Sequence, residues 1–154
     1  MNIMRLIAAS LLLLLGACSK EPPMPLDVAQ SKQMVWDVIK SYHEASDRDD
    51  GIDIITSLLG PEASMVMNSD DVIRGHDNVV RAIRDRIKGS GDAKRSTIIG
   101  KEVIKPEGDY AWVSYVASVQ TQRGVITAIC RRNKDGKWLI IHLHETWSLL
   151  NPKK

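Results

Sequence analysis

The chain has 154 residues, with 21 Lys and Arg against 19 Asp and Glu, 44% hydrophobic residues and 26% charged. That length suits one domain and the composition is globular, which excludes a largely disordered chain. A net charge of +2 without a dense basic stripe argues against a nucleic-acid binder, and two cysteines make neither a disulfide framework nor a four-ligand zinc site.

Arg5 is the only charge in the first seventeen residues, and the apolar run Leu6 to Leu15 follows it. Such a run is short for a bilayer span and has the layout of a secretory leader. Leu15-Gly16-Ala17-Cys18 comes next. Small residues let an extended chain enter a peptidase cleft, and the thiol offers a point for acylation. The segment resembles the lipobox of bacterial lipoproteins, which implies cleavage before Cys18, acylation of that residue and attachment to a lipid bilayer. Ser19 follows the cysteine instead of Asp, so the resemblance points to the outer membrane, facing the periplasm, if the host is Gram-negative. Residues 1–17 then form the signal peptide. Residues 18–26 hold the lipidated Cys18 and a Pro-rich tether, Glu21-Pro22-Pro23-Met24-Pro25. As polyproline II, the eight residues after Cys18 reach roughly 25 Å, at about 3.1 Å each. The domain proper is residues 27–150.

From Val28 the pattern turns helical: Val35, Ile39 and Tyr42 recur at spacings of four and three, with Lys32, Lys40, Glu44 and Arg48 on the polar side. Asp49-Asp50-Gly51 stops this helix, and a short second one, about Ile52 to Leu59, ends at Gly60-Pro61. Ala63–Asn68 and Val72–Arg74 read as a hairpin around Ser69-Asp70-Asp71. Gly75 introduces a third helix carrying Val79, Val80, Ile83 and Ile87, and Gly89-Ser90-Gly91 ends it. The rest reads as strands over Ser96–Lys105, Tyr110–Thr121, Val125–Arg132 and Trp138–Trp147, with turns at Pro106–Asp109 and Asp135-Gly136. These strands are apolar on both faces, so both should be covered. Three helices and then a strand meander is an α+β order, with a curved antiparallel sheet packed on the long first helix. Cys130, apolar-flanked, reads as a small core residue.

Three stretches in this order resemble the SnoaL-like branch of the nuclear transport factor 2-like superfamily. They are Val72-Ile73-Arg74-Gly75-His76-Asp77-Asn78-Val79-Val80, Gly108-Asp109-Tyr110-Ala111-Trp112-Val113, and Asp135-Gly136-Lys137-Trp138 running on to His142-Leu143-His144-Glu145-Thr146. Thr146 stands where the family usually has Ser. The resemblance implies a cone-shaped, cystatin-like α+β fold with a pocket at its wide end and frequent homodimers. It does not imply one function.

Period two places Trp138, Ile140, His142, His144 and Thr146 on one face of the last strand. A two-residue turn at Asp135-Gly136 would set Asn133 opposite Trp138, Arg131 opposite Ile140 and Thr127 opposite His144. Two imidazoles, Arg131 and Thr127 among Ile, Val and Trp suit a partly wet pocket better than a sealed core. Tyr42, Thr127, Arg131, Trp138, His142 and His144 are therefore the candidate ligand-binding residues. His142 and His144 are the candidate acid–base pair, because imidazole titrates near neutral pH. Tyr42 and His43 would close the pocket from the long helix. His-x-His supplies two metal ligands, but Glu145 points to the other face and leaves no third, so no metal is expected, and no cofactor motif occurs. Trp147 reads as a dimer contact. Asp37, Glu44, Asp47 and Glu62 are available acids, none placed by a motif.

The expected function is a membrane-anchored envelope lipoprotein whose pocket domain, as a homodimer, binds a small apolar molecule or a protein partner. One alternative is a cofactor-free isomerase, dehydratase or cyclase acting on an apolar carbonyl compound through a pocket histidine. Another is a structural subunit of an envelope assembly. An enzyme predicts an acid within reach of His142 or His144, a binder a pocket without one, and a structural subunit a pocket filled by side chains.

Overall fold

Asp27 starts the first helix: its carboxylate accepts the backbone N–H of Gln30 at 2.7 Å, capping donors the helix leaves unpaired. In the computed structural model, which describes residues 27–68, 71–89, 97–119 and 121–149, helix α1 runs Val28–Ser46 and α2 Ile52–Leu58. Strands β1 (Leu59–Met67) and β2 (Ile73–Arg74) follow, then α3 (His76–Gly89) and the four strands β3 (Thr97–Glu107), β4 (Tyr110–Val119), β5 (Gln122–Arg132) and β6 (Trp138–Leu149). The leader, Cys18 and the tether lie outside the described residues, as does part of the turn at Ser69-Asp70. No described helix is long and apolar enough to cross a membrane.

The six strands form one curved sheet in the order β2-β1-β6-β5-β4-β3. All ladders are antiparallel except β1·β6, which is parallel. Pro106 and Glu107 continue β3, so the β3–β4 turn is shorter than the sequence suggests. α1 packs against β3 and β6, and α3 against β1. The core joins Val35, Ile39 and Tyr42 of α1 to Val79, Ile83 and Ile87 of α3 over Met65, Val113, Tyr115, Ile126 and Leu143 of the sheet. Each fully buried aliphatic side chain contributes roughly 1.5–3 kcal/mol. Cys130 is buried in the same core.

The outer face of the sheet is open in the single chain. Val103, Tyr110, Trp112 and Val125 are all exposed there, so among the described residues only the inner face has the cover that two-sided hydrophobicity predicts.

The β5–β6 ladder departs from the expected register in two ways. Its last pair before the turn is Arg132 with Trp138, so the loop is five residues, Asn133 to Lys137. Its ladder then steps from Cys130–Ile140 to Ile129–His142, leaving Ile141 as an extra residue on β6. This is a β-bulge, and a bulge reverses which face the following residues occupy. Trp138 and Ile140 are buried inside. After the bulge the buried residues are Leu143 and Glu145, while His142 is half-buried and His144 exposed on the other face. The β1·β6 ladder shifts at the same place, between Leu59–Ile140 and Ser64–His142.

Candidate binding pocket

The bulge decides which side chains meet inside the cone. The histidine pair does not turn inward, which corrects the sequence expectation. His142 Nδ1 lies 2.9 Å from Ser64 Oγ on the outer face, and its pKa is lowered by desolvation and by the neighbouring His144. Thr127 does pair with His144, but both stand on the outer face. Arg131 pairs with Leu139, not Ile140, and its guanidinium meets Glu62 at 2.6 Å. Trp138 is buried in the core and does not line the cavity. Its Nε1 is a buried donor without a partner among the described residues.

The inner face carries a different set. A cavity of about 380 Å³ opens at one end of the cone, where α1 and α3 end and β1, β4 and β6 finish. Its apolar wall is Met67, Ile87, Val119 and Trp147, and its polar wall includes His43, Asp47, Arg86, Gln122 and Glu145. Of the expected ligand-binding residues, only Tyr42 belongs to this inner cluster, and it sits behind the wall in contact with Glu145.

Glu145 is almost wholly buried, its side chain 1% exposed, and a buried carboxylate needs compensation. Arg86 Nη1 donates to Oε2 at 2.6 Å and Trp147 Nε1 to the same oxygen at 3.0 Å. Oε1 accepts one long bond, from Tyr42 Oη at 3.3 Å. Tyr42 Oη in turn accepts Arg86 Nη2 at 3.1 Å. Burial opposes the charge on Arg86, but Tyr42 and Glu145 outweigh it and hold the guanidinium protonated. Burial first, and then the Glu145 charge, push the Tyr42 phenol well above its ordinary value, so it stays a donor.

Beside this cluster His43 Nε2 lies 2.6 Å from Tyr115 Oη, and Tyr115 packs edge-on against Trp36. Burial drops the His43 pKa to about 4, opposed by Glu145 and reinforced by Arg86, so the ring is neutral at pH 7. Burial also keeps the Tyr115 phenol protonated. The pocket can thus offer a neutral imidazole, an ion pair whose charges largely cancel, and an apolar wall. Among the described residues no group of three His, Cys, Asp or Glu is placed to hold a metal ion.

Sequence reasoning missed Arg86 and Glu145 and placed Trp147 at a dimer contact; the indole instead turns inward onto Glu145. One signal for Arg86 was present: it follows Val79 and Ile83 by seven and three residues, which puts it on the apolar stripe of α3.

A SnoaL-like domain family model matches residues 35–148. The chain belongs to the SnoaL-like family of the nuclear transport factor 2-like superfamily. Solved structures share the fold. A proposed dehydratase of the nuclear transport factor 2-like family from Streptomyces avermitilis superposes with a TM-score of 0.68 at 18% identity, covering 77% of this chain and 96% of that one. A protein of unknown function from Pseudomonas putida also gives 0.68, at 15% identity over 77% and 87%. A proposed ketosteroid isomerase from Parabacteroides distasonis gives 0.59, at 19% identity over 76% and 87%. No curated protein matches the sequence.

Proposed function

We propose that this chain is an exported lipoprotein, anchored through acylated Cys18, whose cone binds a small, mostly apolar molecule. The observation that carries the binding half is the open cavity of about 380 Å³ with Glu145 and Arg86 already paired in its wall. A largely satisfied polar group among apolar walls orients a ligand without transforming it. The unfilled cavity counts against a purely structural subunit. The leader, Gly16-Ala17-Cys18 and Pro-rich tether support the anchor, with Ser19 favouring the outer membrane. The exposed Trp112, Tyr110 and Val125 support a homodimer through the outer face.

Three measurements test this reading. Replacing Cys18 with Ala should abolish palmitate incorporation; incorporation that persists overturns the anchor. In a thermal-shift screen, compounds that raise the Tm of the wild type should fail with Val119→Trp, which fills the cavity; a shift surviving that change comes from elsewhere. Trp112→Arg should halve the sedimenting mass if the outer face is the dimer surface.

A second reading, an isomerase, dehydratase or cyclase, is favoured by His43, the histidine that does line the pocket. A neutral imidazole can take a proton from carbon next to a carbonyl and return it elsewhere without a cofactor. The two solved neighbours described as proposed enzymes are consistent with such chemistry. A His43→Gln variant that keeps full turnover of an identified substrate would exclude it.

A further inference from the structure

Trp147 is held in one orientation by three separate contacts. Its backbone N–H donates to Asn68 Oδ1 at 2.6 Å, and its indole N–H to Glu145 Oε2 at 3.0 Å. The third contact is with Gly124, its partner across the β5·β6 ladder. A Cβ built on Gly124 would lie 2.8 Å from Cδ2, 2.8 Å from Cε3 and 3.0 Å from Cε2 of that indole. Cδ2 and Cε2 are the two ring-fusion atoms, and Cε3 and Cε2 are both bonded to Cδ2. Near-equal distances to all three mean that the Cβ would strike the face of the ring, not its edge. The indole therefore lies over the Gly124 backbone, where only glycine leaves room.

One face of the ring is thus covered, and Trp147 nevertheless lines the cavity. Of the two faces, the one turned from Gly124 is left for a ligand. Close by, among the described residues, Glu145 Oε1 accepts only the 3.3 Å bond from Tyr42, whereas Oε2 accepts two shorter ones. A carboxylate oxygen has room for a further donor.

We propose that Trp147 is a fixed stacking platform and that the pocket selects a flat, aromatic or conjugated molecule carrying a hydroxyl that donates to Glu145, with Gly124 as the residue that sets the platform. This rests on the pocket-binding reading above and adds to it the shape and chemistry of the ligand. Stacking has a geometric preference beyond area burial, so a planar compound should outbind a puckered one of the same size and polarity.

The test compares 2-naphthol with 2-decalol on the full chain, by calorimetry. Each has two fused six-membered rings and one hydroxyl, and only the first is flat. The expected result is naphthol binding about three- to tenfold tighter than decalol. Trp147→Leu should erase that ratio, Trp147→Phe should keep most of it, and Gly124→Ala should lower naphthol affinity by pushing the ring into the cavity. If Gly124→Ala does not fold, the Leu and Phe variants still decide. Equal affinities in the wild type, or a ratio unchanged in Trp147→Leu, overturn the platform while leaving a binding pocket in place. Binding of neither compound overturns the platform and the pocket reading together.

Discussion

Gly60 and Ile141 meet across the parallel β1·β6 ladder at the bulge: a Cβ on Gly60 would stand 2.8 Å from Ile141 Cγ2. Glycine at 60 is what lets the extra residue of β6 sit against β1. Gly60→Ala should therefore destabilise the fold by about 1–2 kcal/mol, because the β-branched Ile141 has few rotamers to retreat to. Adding Ile141→Ala should recover part of that loss. Urea unfolding of the two single variants and the double variant gives the coupling, and strict additivity would mean that the two residues do not press on each other.

The Glu145–Arg86 pair predicts a marked asymmetry between single and double substitutions. Arg86→Met leaves a carboxylate that is 1% exposed without its main partner. We expect a loss of about 3 kcal/mol, the lower end of the range for buried pairs because the Arg86 side chain is 31% exposed. Arg86→Met combined with Glu145→Gln should cost clearly less than the sum of the singles. Denaturant midpoints at pH 7 check this.

His43 should give the fold a pH dependence of definite sign. Its folded-state pKa, about 4, lies below the ordinary 6.5, so the unfolded chain binds the proton first. Stability is then complete above about pH 6.5 and falls as pH drops toward 4. Between pH 6.5 and 5 the wild type should lose about 1–2 kcal/mol more than His43→Gln. Parallel curves for the two proteins over that interval would show that His43 is not the group responsible.

Cys130 is buried, and burial pushes its thiol up to about 12. Only the thiolate reacts readily. In a Cys18→Ser background, native protein should label with an aromatic disulfide reagent many times more slowly than protein in urea. Comparable rates would contradict the core position.

His142→Ala removes an outer-face side chain whose partner is Ser64. A ligand held in the cone should raise the Tm of this variant as much as that of the wild type. Loss of the shift would mean that the outer face takes part in binding.

Most of the architecture was legible because its signals are local. The three-and-four spacing of Val35, Ile39 and Tyr42, the stop at Gly51 and the Asp135-Gly136 turn each act within a few residues, and the helices and strands fall within a few residues of their expected bounds. The pocket lining was less legible because it depends on counting. Alternation along β6 was read without interruption from Trp138, which put the two imidazoles inside. One additional residue between Ile140 and His142 exchanged them for Glu145 and Trp147. Nothing in Leu139-Ile140-Ile141 announces a bulge, since all three are β-formers. The space that accommodates it lies at Gly60, some eighty positions away and on a strand that pairs parallel to β6. Arg86 was overlooked for another reason: a cation on an apolar stripe makes sense only once its carboxylate partner is known.

The irregularity in β6 acts as a selector for what the cone presents inside. Removing Ile141 would leave every downstream residue type unaltered, yet would rotate His142 and His144 inward and send Glu145 and Trp147 out toward solvent. A single codon lost or gained at that spot can thus convert a chamber walled by an ion pair and an indole into one walled by imidazoles on the same scaffold.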